Sequence, residues 1–343
     1  MKLVSVIIPC YNVEKYIDKC AESLVNQTLG IENMELIFVN DASTDTTYQK
    51  LCKWEKKYPD SIMVINCEEN RKQGGARNIG LTYAGADYIG FVDSDDWVEA
   101  EMYEKVYEKA VSTGADLISV LHYREDEKGN VIAIAPSEMK MGAFCKVEND
   151  VCDMVPGGIW CNLFLRKTII EHELYFPENL AYEDLYWGTL MKYYIKTYYI
   201  INEHLYHHLI HENSTIHKKK TLHHLDILVV EKMLMEELKE RGFYKKDKDR
   251  IEFDFLKCYY IYALYLIFSK MEILPYEVLC EMQQEVMRRI PNFEANPFLN
   301  ELDYMERILL KTVRMQLSKE DWEKIRFSYL KYAEQKSSYE QLL

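Results

Sequence analysis

Three aspartates stand within four positions of one another, directly after an apolar run. Residues 88–92 read as a buried strand, and Asp93, Asp95 and Asp96 follow it with Ser94 between the first two. Because like charges this close repel one another, the carboxylates need a cation or hydrogen-bond donors to stay ionised. A hard divalent metal that carries a diphosphate meets that need. An isolated Asp-x-Asp is also typical of a polar turn, so the elements before it decide its meaning.

The segments before the aspartates predict strands that alternate with helices. Apolar strands are expected at residues 4–9, 35–39 and 63–66, and the run 88–92 is the fourth. Helical patterns and polar loops separate them, including a glycine-rich loop at residues 70–81. This alternation predicts an α/β fold with a mostly parallel, doubly wound sheet. Open sheets of this kind bind ligands at the carboxyl ends of their strands, so one continuous site is predicted there.

Other protein classes with acidic or glycine-rich motifs fit the chain less well. A phosphoryl-transferring enzyme of the haloacid dehalogenase type would carry its Asp pair on the first strand, whereas the cluster here follows the fourth. No G-x-G-x-x-G opens the first helix, and no Walker-type G-x-x-x-x-G-K-S/T occurs. These absences argue against a dinucleotide-binding protein and a P-loop nucleotidase.

The order of the motifs resembles that of the family 2 glycosyltransferases, inverting enzymes with the GT-A fold. The family pattern is a strand V-S-V-I-I-P-x-Y-N, a strand that ends in an acid before a serine, G-x-x-x-A-R-N-x-G, F-x-D-x-D-D and a later Glu-Asp pair. Close versions stand at residues 4–12, 39–45, 74–80, 91–96 and 183–184. Three details depart from the pattern: Thr44 and Asp45 follow Ser43, Gly74 and Gly75 stand directly before Ala76, and Asn162 replaces the lysine of a W-x-K segment. Each motif alone is weak, but the ordered set, over residues 3–217, is specific.

The resemblance implies a mixed, mostly parallel GT-A (Rossmann-like) sheet with helices on both faces. It implies one inverting displacement that moves a hexosyl or N-acetylhexosaminyl group from a nucleotide-sugar, most simply a UDP-sugar. The acceptor would be a hydroxyl of a glycan or lipid-linked molecule in bacterial surface polysaccharide synthesis. Mn²⁺ or Mg²⁺ would offset charge on the diphosphate leaving group. The donor-binding residues implied are Pro9, Tyr11, Asn12, Asp41, Ser43, Gly74, Arg77, Asp93, Ser94, Asp95, Asp96 and Trp160.

The resemblance also assigns roles in catalysis and metal binding. Asp184 is the expected general base, with Glu183 second, because a positioned carboxylate can take the proton of an attacking hydroxyl. Acids at a helix start also occur merely as dipole partners. The metal ligands implied are Asp95, Asp93, His211 and His217.

For several of these residues a purely structural role is an equally good interpretation. The histidines fit a surface loop equally well, Trp160 fits either a sugar platform or a core aromatic, and Asp96 either binds the sugar or supports its loop.

The amino-acid composition further restricts the class of protein and its location. The chain has 343 residues, with 42 basic and 56 acidic ones and a formal net charge of −14. This acidic balance makes general nucleic-acid binding a poor expectation. Nine cysteines without CxxC pairs favour reduced thiols in a cytosolic protein. No signal peptide is expected, and the apolar stretch 255–268 is shorter than the about 20 residues that span a bilayer. A cytoplasmic location is predicted, with peripheral contact at the inner face of the membrane left open.

The chain is expected to divide into a GT-A domain, 1–218, and a helical module, 219–343. Within the first, residues 1–98 would bind the nucleotide-sugar and residues 99–218 the acceptor. Helical periodicity after residue 219 suits packing, homo-oligomer formation or acceptor contact. Two alternatives remain: an inactive nucleotide-sugar-binding homologue that serves as a partner subunit, and an interaction protein that works through its helical module. Intact aspartates argue against the first, and UDP binding would argue against the second.

Overall fold

A computed structural model describes residues 2–134, 142–146, 158–211 and 222–340. The chain forms two compact units, Met1–Ser214 and Thr215–Leu343. The roles predicted for a catalytic domain that ends at residue 218, and for a module after it, stay predictions.

The first unit is built from strands and helices in alternation. Its strands in the described residues are β1 (Val4–Cys10), β2 (Met34–Asn40), β3 (Ile62–Asn66), β4 (Tyr88–Phe91), β5 (Trp97–Val98), β6 (Leu117–Asp126), β7 (Val131–Ile134), β8 (Phe144–Lys146), β9 (Asn162–Leu165) and β10 (Thr197–Ile210). Its helices there are α1 (Ile17–Val25), α2 (Thr47–Lys57), α3 (Lys72–Tyr83), α4 (Met102–Thr113), α5 (Arg166–Glu171) and α6 (Glu183–Lys192). The four strands predicted before the aspartates are all present as β1–β4.

The strands form one mixed sheet in the order β3-β2-β1-β4-β9-β6-β10-β5, with β7 on β6 and β8 on β10. Pairing is parallel from β3 to β4 and again between β6 and β10. Strand β9 runs antiparallel to both β4 and β6, so β4 and β6 point the same way. The carboxyl ends of β1, β2, β4, β6 and β10 therefore reach the same edge. The predicted mixed sheet is confirmed.

Helices cover both faces of this sheet, as predicted. A Cβ on Gly80 of α3 would lie 2.4 Å from Ile7, and one on Gly90 of β4 would lie 2.7 Å from the Tyr103 hydroxyl of α4. Ile7 pairs with Phe91, the neighbour of Gly90. Because successive strand residues face opposite sides, α3 and α4 lie on opposite faces. Burial on both faces explains why β1 is apolar except at Ser5.

The second unit is helical in the part that the structure describes, which confirms the helical prediction. Its helices are α7 (Asp226–Glu240), α8 (Lys248–Phe255), α9 (Ala263–Lys270), α10 (Tyr276–Arg289), α11 (Tyr304–Lys311) and α12 (Lys319–Glu340). A π-helical stretch, Leu256–Tyr262, joins α8 to α9. None of the helices described is both long and apolar enough to cross a bilayer.

Candidate active site

Arg77 of α3 lies buried between two acids from distant parts of the chain. Its Nη2 donates to Asp93 Oδ1 at 2.8 Å, and its Nη1 pairs with Glu183 Oε1 at the start of α6. Burial raises the pKa of Asp93 above its usual value and that of Glu183 to about 7, and Arg77 opposes both shifts. Arg77 therefore joins the acidic loop after β4 to the Glu-Asp pair, which the sequence places 90 residues away.

Asp96 is fully enclosed. The Tyr206 hydroxyl donates to its Oδ2 at 2.7 Å, and the Leu209 N–H donates to its Oδ1 at 2.8 Å. The same hydroxyl accepts the N–H of Asp93 at 3.2 Å. Burial raises the pKa of Asp96 well above its usual value. With both oxygens engaged and 1% of the residue exposed, Asp96 fits support of the loop better than contact with a sugar.

Asp95 faces His211 across the loop. Its Oδ2 lies 2.8 Å from His211 Nε2, and the His211 ring packs on Tyr16 at 4.7 Å between centroids. Oxygen and nitrogen donors side by side fit Mg²⁺ or Mn²⁺, which proteins commonly hold by one or two carboxylates together with substrate phosphates. Among the described residues no group of three or more potential ligands occurs, so diphosphate oxygens and water would complete the shell.

The other two predicted metal ligands are placed differently. Asp93 already pairs with Arg77, so its carboxylate is less suited to binding a metal ion. His217 lies outside the described residues.

The loops after β1 and β2 are tied to each other where the nucleoside is expected. The Asn12 N–H donates to Ser43 Oγ at 3.0 Å, and Asn12 Oδ1 accepts the N–H of Thr44 at 2.8 Å. Asn12 has a φ of 53°, a left-handed conformation in which asparagine is enriched. Beside it the Tyr11 side chain is half exposed, so this edge presents one open aromatic ring.

Asp41, at the end of β2, anchors the start of α3. Its Oδ1 accepts the N–H of Arg71 at 2.8 Å, and burial raises its pKa. Pro9 and Ser94 are buried beside the same edge. The structure thus brings the predicted donor residues of β1, β2 and β4 to neighbouring strand ends.

Asp184 is the more open member of the Glu-Asp pair. Glu183 is 4% exposed and bound to Arg77, whereas Asp184 is half-buried and accepts only the N–H of Leu185 among the hydrogen bonds described, at 3.0 Å. The charge of Asp184 raises the pKa values of Arg77, Asp93 and Glu183, so it lies close to all three.

Trp160 and Asn162 have clear packing roles. The Trp160 ring stacks on Tyr206 at 4.5 Å between centroids, so one aromatic neighbour already covers part of it. Asn162 is buried, accepts the Ser119 hydroxyl and donates to the Gly158 carbonyl at 3.1 Å. The asparagine that departs from the family pattern therefore links β9 to β6, in a place where a lysine would be buried.

The roles of Tyr206 and of the N–H of Leu209 were not predicted from the sequence. His211 was expected to be either a metal ligand or part of a surface loop, whereas the residues before it, up to Ile210, form the long strand β10. The signal was present: residues 197–201 are threonine, tyrosine and isoleucine only, a composition typical of strands.

Gly74 has a packing reason to be glycine. A Cβ there would lie 2.2 Å from the Pro177 carbonyl oxygen and 3.2 Å from Glu183 Cβ. We expect Gly74→Ala to push the 177–183 segment away from α3, destabilise the first unit by about 1–3 kcal/mol and misplace Glu183.

The midpoint of chemical unfolding checks this prediction. Gly85→Ala is the matched control, because its Cβ would meet nothing closer than 3.9 Å. Equal midpoints for the two variants would contradict the tight approach at Gly74.

Comparison with known proteins agrees with these observations. Residues 5–172 match the sequence model of Glycosyl transferase family 2. The Glycosyltransferase GlyA of Streptococcus pneumoniae is 40% identical over 36% of this chain and 17% of its own length. The Minor teichoic acid biosynthesis protein GgaB of Bacillus subtilis is 31% identical over 62% of this chain and 23% of its own. The chain thus spans less than a quarter of either relative.

The crystal structure of S. aureus TarS 1–349 in complex with UDP-GlcNAc has the same fold. It superposes with a TM-score of 0.74 at 21% identity and covers 97% of this chain and 92% of that one. Residues 5–172, which carry β1–β4 and the acidic loop, are thus a Glycosyl transferase family 2 segment.

Proposed function

We propose that this chain is a metal-dependent, inverting glycosyltransferase. It moves a sugar from a nucleotide-sugar, most simply a UDP-sugar, to a hydroxyl of a glycan or lipid-linked acceptor in surface polysaccharide synthesis. The observation that carries the proposal is the buried Arg77, which joins Asp93 to Glu183 and so brings donor motif and base candidates into one site. The names of GlyA and GgaB and the UDP-GlcNAc bound to TarS support the class of reaction.

Donor binding in this proposal uses the ends of β1, β2 and β4. Tyr11 and Asp41 border the nucleoside, and Asp95 with His211 would hold Mn²⁺ or Mg²⁺ against the diphosphate. The ion would stabilise the charge that develops on the leaving diphosphate. The Tyr206 hydroxyl holds the acidic loop after β4 in place, because it donates to Asp96 and accepts the N–H of Asp93.

Asp184 is the general base that activates the acceptor hydroxyl in this proposal. As the acceptor oxygen attacks the anomeric carbon, Asp184 takes its proton and the bond to the diphosphate breaks on the opposite side. A single displacement of this kind inverts the anomeric centre. Glu183 does not reach the reacting atoms in this scheme; held by Arg77, it fixes the first turn of α6 and with it the position of Asp184.

The metal assignment predicts that UDP binds tightly only with a divalent ion and Asp95. We expect calorimetry to show a clear loss of UDP affinity when Mn²⁺ is replaced by EDTA, and again in Asp95→Ala with Mn²⁺ present. Asp60→Ala, an exposed acid elsewhere, is the control for the loss of one charge. Equal affinity under all conditions would overturn the assignment of Asp95.

Donor hydrolysis separates this proposal from an inactive homologue. A set of nucleotide-sugars, incubated with the chain and Mn²⁺, is expected to include one that releases free sugar and nucleotide slowly. UDP binding without hydrolysis of any donor, and without transfer to any acceptor, would favour a partner subunit that binds but does not catalyse.

A further inference from the structure

Tyr16 links parts of the chain that lie more than 100 residues apart in sequence. Its ring packs on the imidazole of His211, with 4.7 Å between the ring centroids and 37° between the ring planes. Its hydroxyl donates to Glu127 Oε1 at 3.1 Å. Tyr16 stands at the start of α1, Glu127 lies in the turn between β6 and β7, and His211 follows β10 directly. One side chain thus joins three elements beside the proposed metal site.

His211 lacks the hydrogen bond that usually fixes a metal-binding histidine. Such a histidine commonly donates its second ring N–H to a carboxylate, a carbonyl or water, and this bond sets the orientation of the ring. The His211 side chain is 6% exposed, and its Nε2 lies 2.8 Å from Asp95 Oδ2. Its Nδ1 is buried without a hydrogen-bond partner in the part of the chain that the structure describes. Packing therefore has to orient the ring, and Tyr16 is the aromatic neighbour placed to do so.

The Tyr16 side chain is itself held at both ends. At the backbone, the Val13 carbonyl accepts the N–H groups of Tyr16 at 2.9 Å and of Ile17 at 3.0 Å. Val13 in turn donates its N–H to Thr47 Oγ1 at 2.9 Å, so this turn is tied to the start of α2. At the far end the hydroxyl is bound to Glu127. A ring fixed in this way presents a steady face to its neighbour.

The turn that carries Glu127 has a well-defined backbone. Asp126 Oδ1 accepts the N–H groups of Lys128 and Asn130, each at 2.9 Å, and Asp126 Oδ2 accepts the Asn130 side chain at 2.8 Å. These bonds fix the turn on either side of Glu127. The hydrogen bond to Tyr16 therefore starts from a fixed position, although the Glu127 side chain is exposed.

We propose that Tyr16 is a positioning residue for the metal site. Its ring, tethered to Glu127, holds the His211 imidazole so that Nε2 faces Asp95. The ring contact takes the part of the hydrogen bond that Nδ1 does not make among the described residues. The proposal rests on the proposed function, because Tyr16 acts on the ion through the ligand His211 that was assigned there.

Binding of Mn²⁺ to the whole chain at a saturating concentration of UDP tests the proposal. Free Mn²⁺ is followed by electron paramagnetic resonance, so the measurement needs neither an acceptor nor turnover. We expect Tyr16→Leu to weaken Mn²⁺ binding by about 10–100-fold, the usual range when a group that orients a metal ligand is removed. Tyr16→Phe keeps the packed ring and loses only the tether, so its loss should be smaller.

Two double variants test whether the effect passes through these contacts. In the His211→Ala background, Tyr16→Leu should cause little further loss of Mn²⁺ affinity, because the ring that it orients is gone. Glu127→Ala should weaken Mn²⁺ binding as much as Tyr16→Phe does, and should add little to Tyr16→Phe, which has no hydroxyl to tether. Because Glu127 is exposed, this pair remains a fair test even if Tyr16→Leu is unstable.

Two controls separate a positioning role from a purely structural one. UDP affinity in EDTA should be nearly native in Tyr16→Leu, whereas a damaged fold would lower it. Tyr107→Leu is the matched variant, because Tyr107 is a half-buried tyrosine of α4 whose ring meets Tyr88 edge-on at 5.8 Å. Tyr88 begins β4, so this pair lies at the opposite edge of the sheet. Tyr107→Leu should bind Mn²⁺ as the native chain does.

Three results would overturn the positioning role. Tyr16→Leu binds Mn²⁺ as tightly as the native chain, it loses as much Mn²⁺ affinity in the His211→Ala background as in the native one, or its UDP affinity in EDTA falls as far as its Mn²⁺ affinity. Failure of the proposed function looks different, because the native chain itself would then bind UDP equally well with Mn²⁺ and with EDTA.

Discussion

Asp184→Asn is expected to lower the rate of sugar transfer by about 10²–10⁴-fold, the usual loss when a general base is removed. The amide keeps the shape of the side chain but does not accept the proton of the acceptor hydroxyl. UDP affinity should stay nearly native, because the donor contacts lie on β1, β2 and β4. The measurement is the transfer rate to a real acceptor, with UDP calorimetry as the test of folding.

Glu183→Gln is the matched variant for this experiment. It removes the neighbouring carboxylate, but that carboxylate is buried against Arg77, so we expect a milder loss through displacement of Asp184. If Glu183→Gln is inactive while Asp184→Asn remains active, Glu183 and not Asp184 is the general base. If both variants stay active, the base lies elsewhere and His211 is the next candidate.

Arg77→Met is expected to destabilise the first unit by about 3–5 kcal/mol near neutral pH. The substitution leaves Asp93 and Glu183 buried without their cation, and an uncompensated buried charge costs that much. Tryptophan fluorescence during denaturant unfolding measures the effect, since Trp54, Trp97, Trp160 and Trp187 all belong to this unit. Arg71→Met is the control: its ion pair with Glu178 is long, 3.7 Å, and exposed, and such pairs contribute at most about 1 kcal/mol.

The loss in Arg77→Met should shrink as the pH falls. The native pKa of Glu183 is already raised from 4.5 to about 7, and removing Arg77 raises it further. An acid with a raised native pKa binds more protons folded than unfolded, so its unfavourable contribution grows as pH rises through that window and vanishes below about pH 4.5. Unfolding free energies at pH 5 and pH 8 check the sign. A deficit that is larger at pH 5 would contradict the buried acids as its cause.

The fold of the first half was predictable because its strands are buried on both faces. Val4–Cys10 and Met34–Asn40 are almost uniformly buried, so their sequences are apolar apart from Ser5 and Glu35 near their starts, and polar residues follow them. Such a run predicts both a strand and the place where the strand ends, which is why Asp41 and Asp95 were expected at the carboxyl ends of strands of one sheet, where β2 and β4 place them. The Glu-Asp pair was found only through the family resemblance.

Other features depend on contacts that local sequence does not encode. The three acids of this loop look alike in sequence, yet Asp93 faces Arg77, Asp95 faces His211 and Asp96 is enclosed by Tyr206. Which partner each one meets is decided by the preceding helix α3 and by β10 with the residue after it, more than 100 positions away in sequence. The role of Asn162 was hidden for the same reason, since its partner Ser119 lies on another strand.

The length of β10 has a consequence for how the protein is made. Its last residues hold Asp96, and His211 directly after it holds Asp95, more than 100 residues after the acidic loop. During synthesis the amino-terminal part emerges first, with every donor motif present but the buried carboxyl of Asp96 unpaired. We expect a nascent chain to gain affinity for a nucleotide-sugar abruptly, once residue 211 has left the ribosome, rather than gradually as each motif appears.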